Sequence, residues 1–478
     1  MVLQSIVFPD NKGQKKELYY RGNTEIKEEK GYFIVPKGET ISFFTYMNML
    51  DIDAWKKYTD LSSIRFLMEI HGSGFLIIKS KNKQKDTILY KCHFSKEQTR
   101  EWQELRYEID LTVNTGCCYF EIITESDVEI KNARFETDEI VEDEYDVCIA
   151  LNICTFHRKW ELLNNFKKIT ESRFFETKDA LYQKLHIMIV DNGSEVEEID
   201  DAHVRLVHNP NTGGSGGFKR GLEEIRKWDK EITHVVFMDD DIEFSLETLY
   251  RLYALLLFQR DEYKQESVAG RMFRMDDRGV QYTAAEIWNK GSLLHIGLNA
   301  DMTLEEEVLR CNENENAEYG GWWFCCYPME FVQNNDPLPF FIHCDDVEYG
   351  LRHGGTPIIL NGIQVWHETY EYRQSPTILY YDLRNSFFVN ELYGYKDREE
   401  IYREWFECIT KYHVEKKWQD EKMAIYAFLH FLKGLEWLYS KGAMKNHKKI
   451  IRIQRYVSKK QNAVLWRFAY FIYRHREE

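Results

Sequence analysis

Three consecutive aspartates, Asp239, Asp240 and Asp241, follow the apolar segment 232–238. That segment is short, continuous and rich in β-branched residues, so it predicts a buried strand of a parallel sheet. Open α/β sheets bind ligands beyond the carboxyl ends of their strands. Clustered carboxylates there suit Mg²⁺ or Mn²⁺, and these metals suit a diphosphate. The triplet therefore predicts a metal site. The alternative is a polar loop whose aspartate caps the helix expected near Ser245.

Polar residues also end the two strands predicted ahead of the triplet, in segments 154–158 and 191–194. The ionised carboxylate of Asp191 could accept a strong hydrogen bond from the imide N–H of a pyrimidine. The alternative is a strand-to-loop turn, which the sequence Asp-Asn-Gly also favours.

A glycine-rich segment, 211–221, precedes a predicted helix over 218–228. Glycine permits close backbone approach, and helix N-termini attract phosphate. The segment matches neither the dinucleotide fingerprint G-x-G-x-x-G after the first strand nor a Walker A loop, which disfavours a dehydrogenase.

The periodicity of the 478 residues divides the chain into three parts. Residues 1–140 hold short apolar runs separated by turn residues, which predicts an all-β sandwich or jelly-roll domain. The acidic segment 138–146 is typical of a linker. Alternating strand and helix patterns over 145–395 predict an α/β domain with a parallel sheet, and 396–478 reads as a helical domain with a basic tail.

The charge distribution limits the classes of molecule that the protein could bind. The net charge of −16 argues against a nucleic-acid binder. Residues 431–478 nevertheless hold twelve Lys and Arg against three Glu, interleaved with aromatic residues. This tail predicts contact with an anionic membrane face; the alternative is a helix packed on the core with a solvated basic face. Neither a transmembrane run nor a signal peptide is visible, so we expect a cytoplasmic protein, peripheral on the inner face of the cell membrane.

The order of these motifs resembles that of inverting GT-A glycosyltransferases of family 2. Four later segments are more specific, and they resemble the galactofuranosyltransferases that polymerise the mycobacterial galactan. They are 319–324, 343–352, 365–368 and 380–385. The resemblance covers residues 145–395 by motif and extends more loosely to both flanking domains.

The resemblance implies a Rossmann-like GT-A catalytic domain, a UDP-galactofuranose donor, and Mn²⁺ or Mg²⁺ as cofactor. It implies Asp346 as the catalytic base. The implied metal ligands are Asp239, Asp241 and His367. The implied donor-binding residues are Thr155, Arg158, Asp191, Asn211, Gly214, Asp239 and Asp240. The implied acceptor-binding residues are Trp322, Trp323, Asp345 and, by a looser alignment, Glu286.

The chemistry of inverting transfer fits these residue types. A metal can neutralise the leaving diphosphate, and one carboxylate must take the proton of the attacking hydroxyl. Asp345 and Asp346 could instead only cap a helix. Since neighbouring strand residues point to opposite faces, at most one of Trp322 and Trp323 should face a sugar. Arg384 could pair with phosphate or with a structural carboxylate.

The sequence therefore predicts transfer of galactofuranose to a hydroxyl of a cell-surface glycan or lipid-linked acceptor. The alternatives are another donor on the same fold, namely UDP-galactopyranose, UDP-glucose or dTDP-rhamnose, and a non-catalytic sugar-binding protein. Related enzymes can form homo-oligomers, and no heptad or self-complementary edge in the sequence decides that state.

Overall fold

The computed structural model describes residues 1–9, 13–29, 31–95, 101–140, 146–289, 291–311, 316–372, 375–440, 443–455 and 459–475. Most of the acidic segment predicted as a linker, 141–145, lies outside these residues.

The N-terminal part is the predicted β-sandwich. Its strands are β1 Val2–Ser5, β2 Lys27–Glu29, β3 Tyr32–Val35, β4 Thr40–Ser42, β5 Leu50–Asp51, β6 Ser63–His71, β7 Ser73–Lys81, β8 Asp86–Ser95, β9 Gln103–Asp110, β10 Cys117–Thr124 and β11 Val128–Glu136, with helix α1 at Ile52–Tyr58. One sheet has the order β2-β3-β11-β6-β9, with β1 on β11, and the other has the order β4-β10-β7-β8, with β5 on β10. The rings of Phe66 and Phe120 meet between the sheets, with centroids 4.7 Å apart.

The middle part is the predicted α/β domain. Its strands are β12 Ile149–Thr155, β13 Leu185–Asp191, β14 Val204–His208, β15 His234–Asp239, β16 Glu243–Phe244, β17 Val268–Ala269, β18 Arg271–Arg274, β19 Val280–Thr283, β20 Glu286–Asn289, β21 Ser292–His295, β22 Ala300–Asp301, β23 Phe324–Pro328 and β24 Gln364–His367. Its helices are α2 Lys159–Thr170, α3 Gly213–Ile225, α4 Leu246–Phe258, α5 Glu305–Cys311, α6 Met329–Val332 and α7 Asp345–His353.

The main sheet of this domain has the order β14-β13-β12-β15-β23-β17. Strands β12 to β15 are parallel and β23 is antiparallel to β15. All residues of β13 are buried, as expected for a strand covered on both faces. A second sheet, β16-β24-β18-β19-β22, and the hairpin β20-β21 lie beside the carboxyl ends of the parallel strands.

Buried polar contacts fix the sandwich to the α/β domain. Arg251 of α4 is fully buried and donates to the carbonyl oxygens of Met47, at 2.6 Å, and Asn361, at 3.2 Å. Glu247 of the same helix accepts from the backbone N–H of Ser5 at 2.6 Å. Because buried charges are stable only when paired, these contacts hold the two domains in a defined relation.

The C-terminal part is helical, as predicted. Its helices are α8 Pro376–Leu392, α9 Arg398–Val414, α10 Trp418–Phe431, α11 Leu435–Ser440, α12 Ala443–Arg455 and α13 Lys459–Arg474. The 3₁₀ turns of the chain lie at Lys16–Leu18, Arg173–Phe175, Asp261–Tyr263 and Tyr370–Tyr372. The helical part begins with α8, ahead of the predicted boundary at residue 396. Among the described residues, no helix has the length and apolar character needed to cross a membrane.

Candidate metal and catalytic site

Strand pairing brings His367 to the aspartate triplet. Strand β15 ends at Asp239, the chain turns through Asp240 and Asp241, and β16 follows directly. Glu243 and Phe244 of β16 pair antiparallel with Trp366 and Val365 of β24. The last residue of β24, His367, therefore lies beside Asp241 although 126 positions separate them.

The metal-type cluster, which we define as Asp239, Asp241 and His367, has converging ligand atoms. One atom from each of the three side chains lies within 4.8 Å of the others. His367 Nε2 lies 3.2 Å from Asp241 Oδ1 and 3.6 Å from Asp239 Oδ2. The three predicted metal ligands are thus together, and none of the aspartates caps α4, because Ser245 accepts from the N–H of Glu247.

The electrostatics of this cluster suit a cation. Burial and the neighbouring carboxylates raise the pKa of Asp239 to about 7, while His367 opposes the shift. Two carboxylates and one imidazole are ligands that a divalent ion such as Mn²⁺ accepts. A bound cation would relieve the repulsion that the fold imposes. The residues present therefore fit the implied metal.

Asp240 turns away from the cluster, as its place between two converging aspartates requires. It is 4% exposed, and Arg158 Nη1 lies 3.2 Å from its Oδ1 and 2.8 Å from Asp241 Oδ2. Burial raises the pKa of Asp240 to about 6. Arg158 and the buried Thr155, both predicted donor residues, thus lie at the same strand ends as the triplet.

Asp191 braces its own loop. Its Oδ1 accepts from the N–H of Gly193 at 2.8 Å, and its Oδ2 accepts from those of Glu195 at 2.6 Å and Val196 at 2.7 Å. The turn considered in the sequence is therefore real. A carboxylate offers about four acceptor sites, and these three hydrogen bonds leave one of them for the N–H of a base.

The glycine-rich segment is the first turn of α3 rather than a loop ahead of it. The helix begins at Gly213, five residues before the predicted start at Phe218. A Cβ at Gly213, whose φ is +77°, would lie 2.0 Å from the carbonyl oxygen of Phe341, and one at Gly217 would lie 2.1 Å from Cys154 Sγ. These glycines allow α3 to pack closely. At the predicted donor residue Gly214 a Cβ would make only ordinary contacts.

Asn211 has a local role in this structure, since its Oδ1 accepts from the N–H of Gly213 at 2.9 Å. The close packing at Gly213 has a wider effect, because it sets α3 against the segment that precedes α7. Ser215 continues this contact: its hydroxyl donates to Asp345 Oδ2 at 2.7 Å. The carboxylate of Asp345 is therefore directed at α3 rather than at the neighbouring Asp346.

Asp346 is left as the less engaged carboxylate of the pair. Among the described residues, its Oδ1 accepts from the adjacent N–H of Val347 alone, at 2.8 Å. Burial, the charge of Asp345 and that of Glu286 raise its pKa to about 7, against the opposing influence of this hydrogen bond and of His343. A carboxylate with such a pKa can take a proton near neutral pH, as a general base requires.

Close packing at Gly350 holds Asp346 in place. Residues four apart share a helix face, and a Cβ at Gly350 would lie 2.2 Å from that of Tyr319. Tyr319 in turn forms a bridge with Glu286, whose N–H donates to the Tyr319 carbonyl oxygen at 3.0 Å. The loosely aligned Glu286 therefore lies in the same site. It is buried, and its Oε1 is 3.0 Å from His295 Nδ1.

The Trp pair precedes β23 and lies against the triplet. The N–H of Asp239 donates to the Trp323 carbonyl oxygen at 3.3 Å. The two indoles enter different cores. Trp323 donates its Nε1–H to the carbonyl oxygen of Gly270 at 2.8 Å, and Trp322 stacks on Phe237 with centroids 4.5 Å apart. Both are at most 5% exposed, so either ring would have to be uncovered to stack on a sugar.

The structure corrects the expectation for Arg384. Its guanidinium is buried and donates to the carbonyl oxygen of Phe340 at 2.5 Å, the Tyr380 hydroxyl at 3.2 Å and Asn385 Oδ1 at 2.9 Å. Among the described residues no carboxylate pairs with Arg384, and its guanidinium supports the backbone of the segment before α7.

That segment is strained, and this was not foreseen from the sequence. Phe341, His343 and Cys344 have φ of +78°, +64° and +60°. Non-glycine residues in this region cost about 1 kcal/mol or more each and persist only where the surroundings impose them. Asn385 imposes it here, donating its Nδ2–H to the carbonyl oxygens of Ile342 and His343 at 2.8 Å each.

The aspartate triplet and the Asp345–Asp346 pair lie close to each other. The thiol of Cys154, at the end of β12, has a pKa raised well above its ordinary value by burial and by the carboxylates of Asp240, Asp239, Asp345 and Asp191. The ends of β12, β13 and β15 and the start of α7 therefore face a common site. Sequence reasoning missed Ser215, His295, His343 and Asp382 in it, because their roles depend on partners distant in sequence.

Comparisons with known proteins match two parts of the chain to family models. Residues 3–138 match the model of the galactofuranosyltransferase 2 N-terminal domain, and residues 152–294 match that of glycosyl transferase family 2. The galactofuranosyltransferase GlfT2 of Mycolicibacterium smegmatis is 25% identical over 75% of this chain, and that of Mycobacterium tuberculosis is 24% identical over 73%. The matched part spans 58% of the length of each relative.

Among solved structures, the mannosyltransferase PcManGT from Pyrobaculum calidifontis, in complex with GDP-Man and Mn²⁺, is 12% identical. The match covers 71% of this chain and 91% of that one, with a TM-score of 0.34, which is too low to support an argument about the site. The two matched family models cover the sandwich and most of the parallel-sheet half of the α/β domain, so the predicted fold is confirmed. Residues 152–294 therefore form a glycosyltransferase family 2 domain, and the chain resembles the galactofuranosyltransferases named above.

Proposed function

We propose that this protein transfers galactofuranose from UDP-galactofuranose to a hydroxyl of a cell-surface glycan or lipid-linked acceptor, with inversion at the anomeric carbon. One observation carries the proposal. The metal-type cluster gathers its ligand atoms within 4.8 Å, while Asp346 of the neighbouring acidic pair remains less engaged and has a pKa of about 7. The relatives named galactofuranosyltransferase support the choice of donor.

In this proposal Asp346 accepts the proton of the acceptor hydroxyl as its oxygen attacks the anomeric carbon. The new bond to that carbon forms while its bond to the diphosphate oxygen breaks, and UDP leaves with the electron pair. Asp345, fixed by Ser215, does not compete for the proton. The pKa of Asp346 is high enough to accept this proton and low enough to leave the carboxylate ionised above neutral pH.

Asp239, Asp241 and His367 would hold Mn²⁺ or Mg²⁺, which when bound neutralises charge on the diphosphate. Arg158 adds a fixed positive charge beside the same carboxylates. Asp191, at the end of the neighbouring strand β13, would face the uracil base. A divalent cation and a guanidinium together offset the negative charge that builds up on the departing nucleotide.

A donor screen tests the proposal. The protein is incubated with Mn²⁺, an oligosaccharide acceptor and each of UDP-galactofuranose, UDP-galactopyranose, UDP-glucose and dTDP-rhamnose. We expect nucleotide release and product with the first, and an inverted anomeric configuration by NMR. Preference for another donor would replace the sugar in the proposal. Unchanged activity after complete chelation of divalent ions would overturn the metal assignment.

We further propose that the protein works in the cytoplasm, peripherally on the inner face of the membrane, where a lipid-linked acceptor is presented. Helix α13 exposes Val464, Phe468 and Phe471, at 63%, 47% and 57%. Their spacing of four and three residues places them on one face. Basic residues are also exposed on this helix and on α12: Arg467 and Arg474 of α13, and Lys445, Lys448, Lys449, Arg452 and Arg455 of α12.

An apolar stripe flanked by cations suits an anionic lipid surface. Phe468→Glu combined with Phe471→Glu should reduce flotation with anionic vesicles, with little change for neutral ones. Val113→Glu is the control, because Val113 is 74% exposed on the sandwich domain. Equal flotation of wild type and the double variant would reject membrane contact through α13.

A further inference from the structure

A histidine and an aspartate outside the proposed machinery form a pair at the mouth of the site. The Nδ1 of His343 is hydrogen-bonded to Asp382 Oδ1 of α8. The two side chains are 30% and 47% exposed, so the pair is not part of the core. In the part of the chain that the structure describes, His343 Nε2 has no hydrogen-bond partner.

The position of His343 connects the two halves of the site. It lies three residues ahead of Asp346. The ring of Tyr370 lies with its centroid 6.3 Å from that of His343 and 6.3 Å from that of His367. A group placed between the base and the metal-type cluster lies beside the path on which acceptor and donor must meet.

The backbone conformation of His343 is held by a neighbouring side chain. Its φ of +64° is held by the bond from Asn385 to its carbonyl oxygen. Although burial opposes it, Asp382 and the neighbouring Asp345 and Asp346 raise the pKa of His343. Because Asp382 accepts the hydrogen of Nδ1, Nε2 is the ring atom that faces a ligand: it donates when the ring is protonated and accepts when the ring is neutral. Backbone strain of this kind is concentrated at functional sites.

We propose that His343, oriented by Asp382, forms a hydrogen bond through Nε2 with a ring hydroxyl of the acceptor sugar, next to the hydroxyl that Asp346 deprotonates. The pair thereby selects and positions a neutral polyol acceptor. The inference rests on the proposed glycosyl transfer and adds a specificity-determining residue to it. Asp382 acts through the imidazole and is a positioning residue.

The test measures acceptor and donor kinetics separately. His343→Asn is the primary variant, since asparagine tolerates positive φ and is too short to reach the same hydroxyl. We expect its KM for the acceptor to rise about tenfold, as for loss of one charge-assisted hydrogen bond. The donor KM should stay unchanged.

Asp382→Asn should raise the acceptor KM less, and the double variant should be no worse than His343→Asn alone. The matched control is His93→Asn, which breaks the exposed His93–Glu125 pair of the sandwich domain, at 2.8 Å, and should change neither constant.

An unchanged acceptor KM in His343→Asn, or a rise confined to the donor KM, would overturn the inference while leaving the transferase intact. Additive effects of the two substitutions would show that Asp382 does not act through His343. A wild-type protein that binds oligosaccharide but turns over no nucleotide sugar would instead overturn the proposed function. In that event acceptor binding, followed by saturation-transfer NMR, decides the role of His343.

Discussion

The metal-type cluster and the acidic pair at the start of α7 both contain neighbouring carboxylates in a buried site. They differ in the direction in which these carboxylates point. Asp239 and Asp241 converge on one point with His367 between them. Asp345 and Asp346 diverge: the first is directed at Ser215, and the second is left with one backbone N–H. A cation bound between the convergent carboxylates would relieve their repulsion, whereas in the divergent pair burial and the charge of Asp345 raise the pKa of Asp346 to about 7. The first arrangement suits charge neutralisation and the second suits proton transfer.

The sharpest test removes the base without disturbing the cation site. In Asp346→Asn we expect kcat to fall by about 10³, in the range that general bases contribute, with the nucleotide Kd unchanged. Steady-state kinetics and calorimetry with UDP and Mn²⁺ measure the two. Asp229→Asn, an exposed aspartate at the opposite edge of the sheet, is the control. Turnover within tenfold of wild type would assign the proton to another group.

Removal of a metal-type ligand should produce the converse pattern. His367→Ala takes away the one nitrogen ligand, and we expect Mn²⁺ affinity to fall by about 10²-fold, since even groups that only orient metal ligands cost 10–100-fold when removed. Titration followed by electron paramagnetic resonance measures this loss, and excess Mn²⁺ should restore part of the turnover. His93→Ala controls for loss of an exposed imidazole. Unaltered Mn²⁺ affinity would contradict the cluster as drawn.

The pH profile should separate the two clusters more finely. Asp346, with a pKa of about 7, is protonated at lower pH and then cannot accept a proton. We expect kcat/KM to fall about tenfold per pH unit on the acid side of this value. Asp239 also has a raised pKa, but saturating Mn²⁺ should keep it ionised. A limb that moves with Mn²⁺ concentration would report the metal-type cluster instead of Asp346.

The comparison also explains which parts could be predicted from the sequence. The triplet, the parallel strands and the acidic pair are local patterns, and the resemblance added His367. The pairing of β16 with β24, which brings His367 to Asp241, joins residues 126 positions apart and leaves no local trace. The sequence predicts close backbone approach at the glycines, and the structure shows which contacts need it: those of Gly213 with Phe341 and of Gly217 with Cys154.

Side-chain roles were harder to predict than side-chain positions. Arg384 carries a charge that suggests phosphate, yet it is buried and supports the carbonyl oxygen of Phe340. Trp322 and Trp323 have the aromatic rings that stack on sugars, yet both fill cores. In each case the deciding quantity is burial by elements from elsewhere in the chain, which composition and spacing do not encode.

The smallest expected effect concerns the third carboxylate near the base. The charge of Glu286 contributes to the raised pKa of Asp346, although burial and Asp345 contribute more. Glu286→Gln keeps the shape and removes that charge. A close charge shifts a pKa by about 1–3 units. Because Glu286 contributes less than Asp345, we expect the acid limb of kcat/KM to move to lower pH by less than about one unit.

Glu330→Gln is the matched control for this shift, because Glu330 is exposed and bonded to Gln265, which contacts His353 at the opposite end of α7 from Asp346. A limb that stays in place in Glu286→Gln would mean that burial and Asp345 alone set the pKa of Asp346. The pKa of Asp346 would then not depend on the charge of Glu286, the first residue of β20. Glu286 would be left with its contact to His295, and the divergent arrangement would be confined to α7 itself.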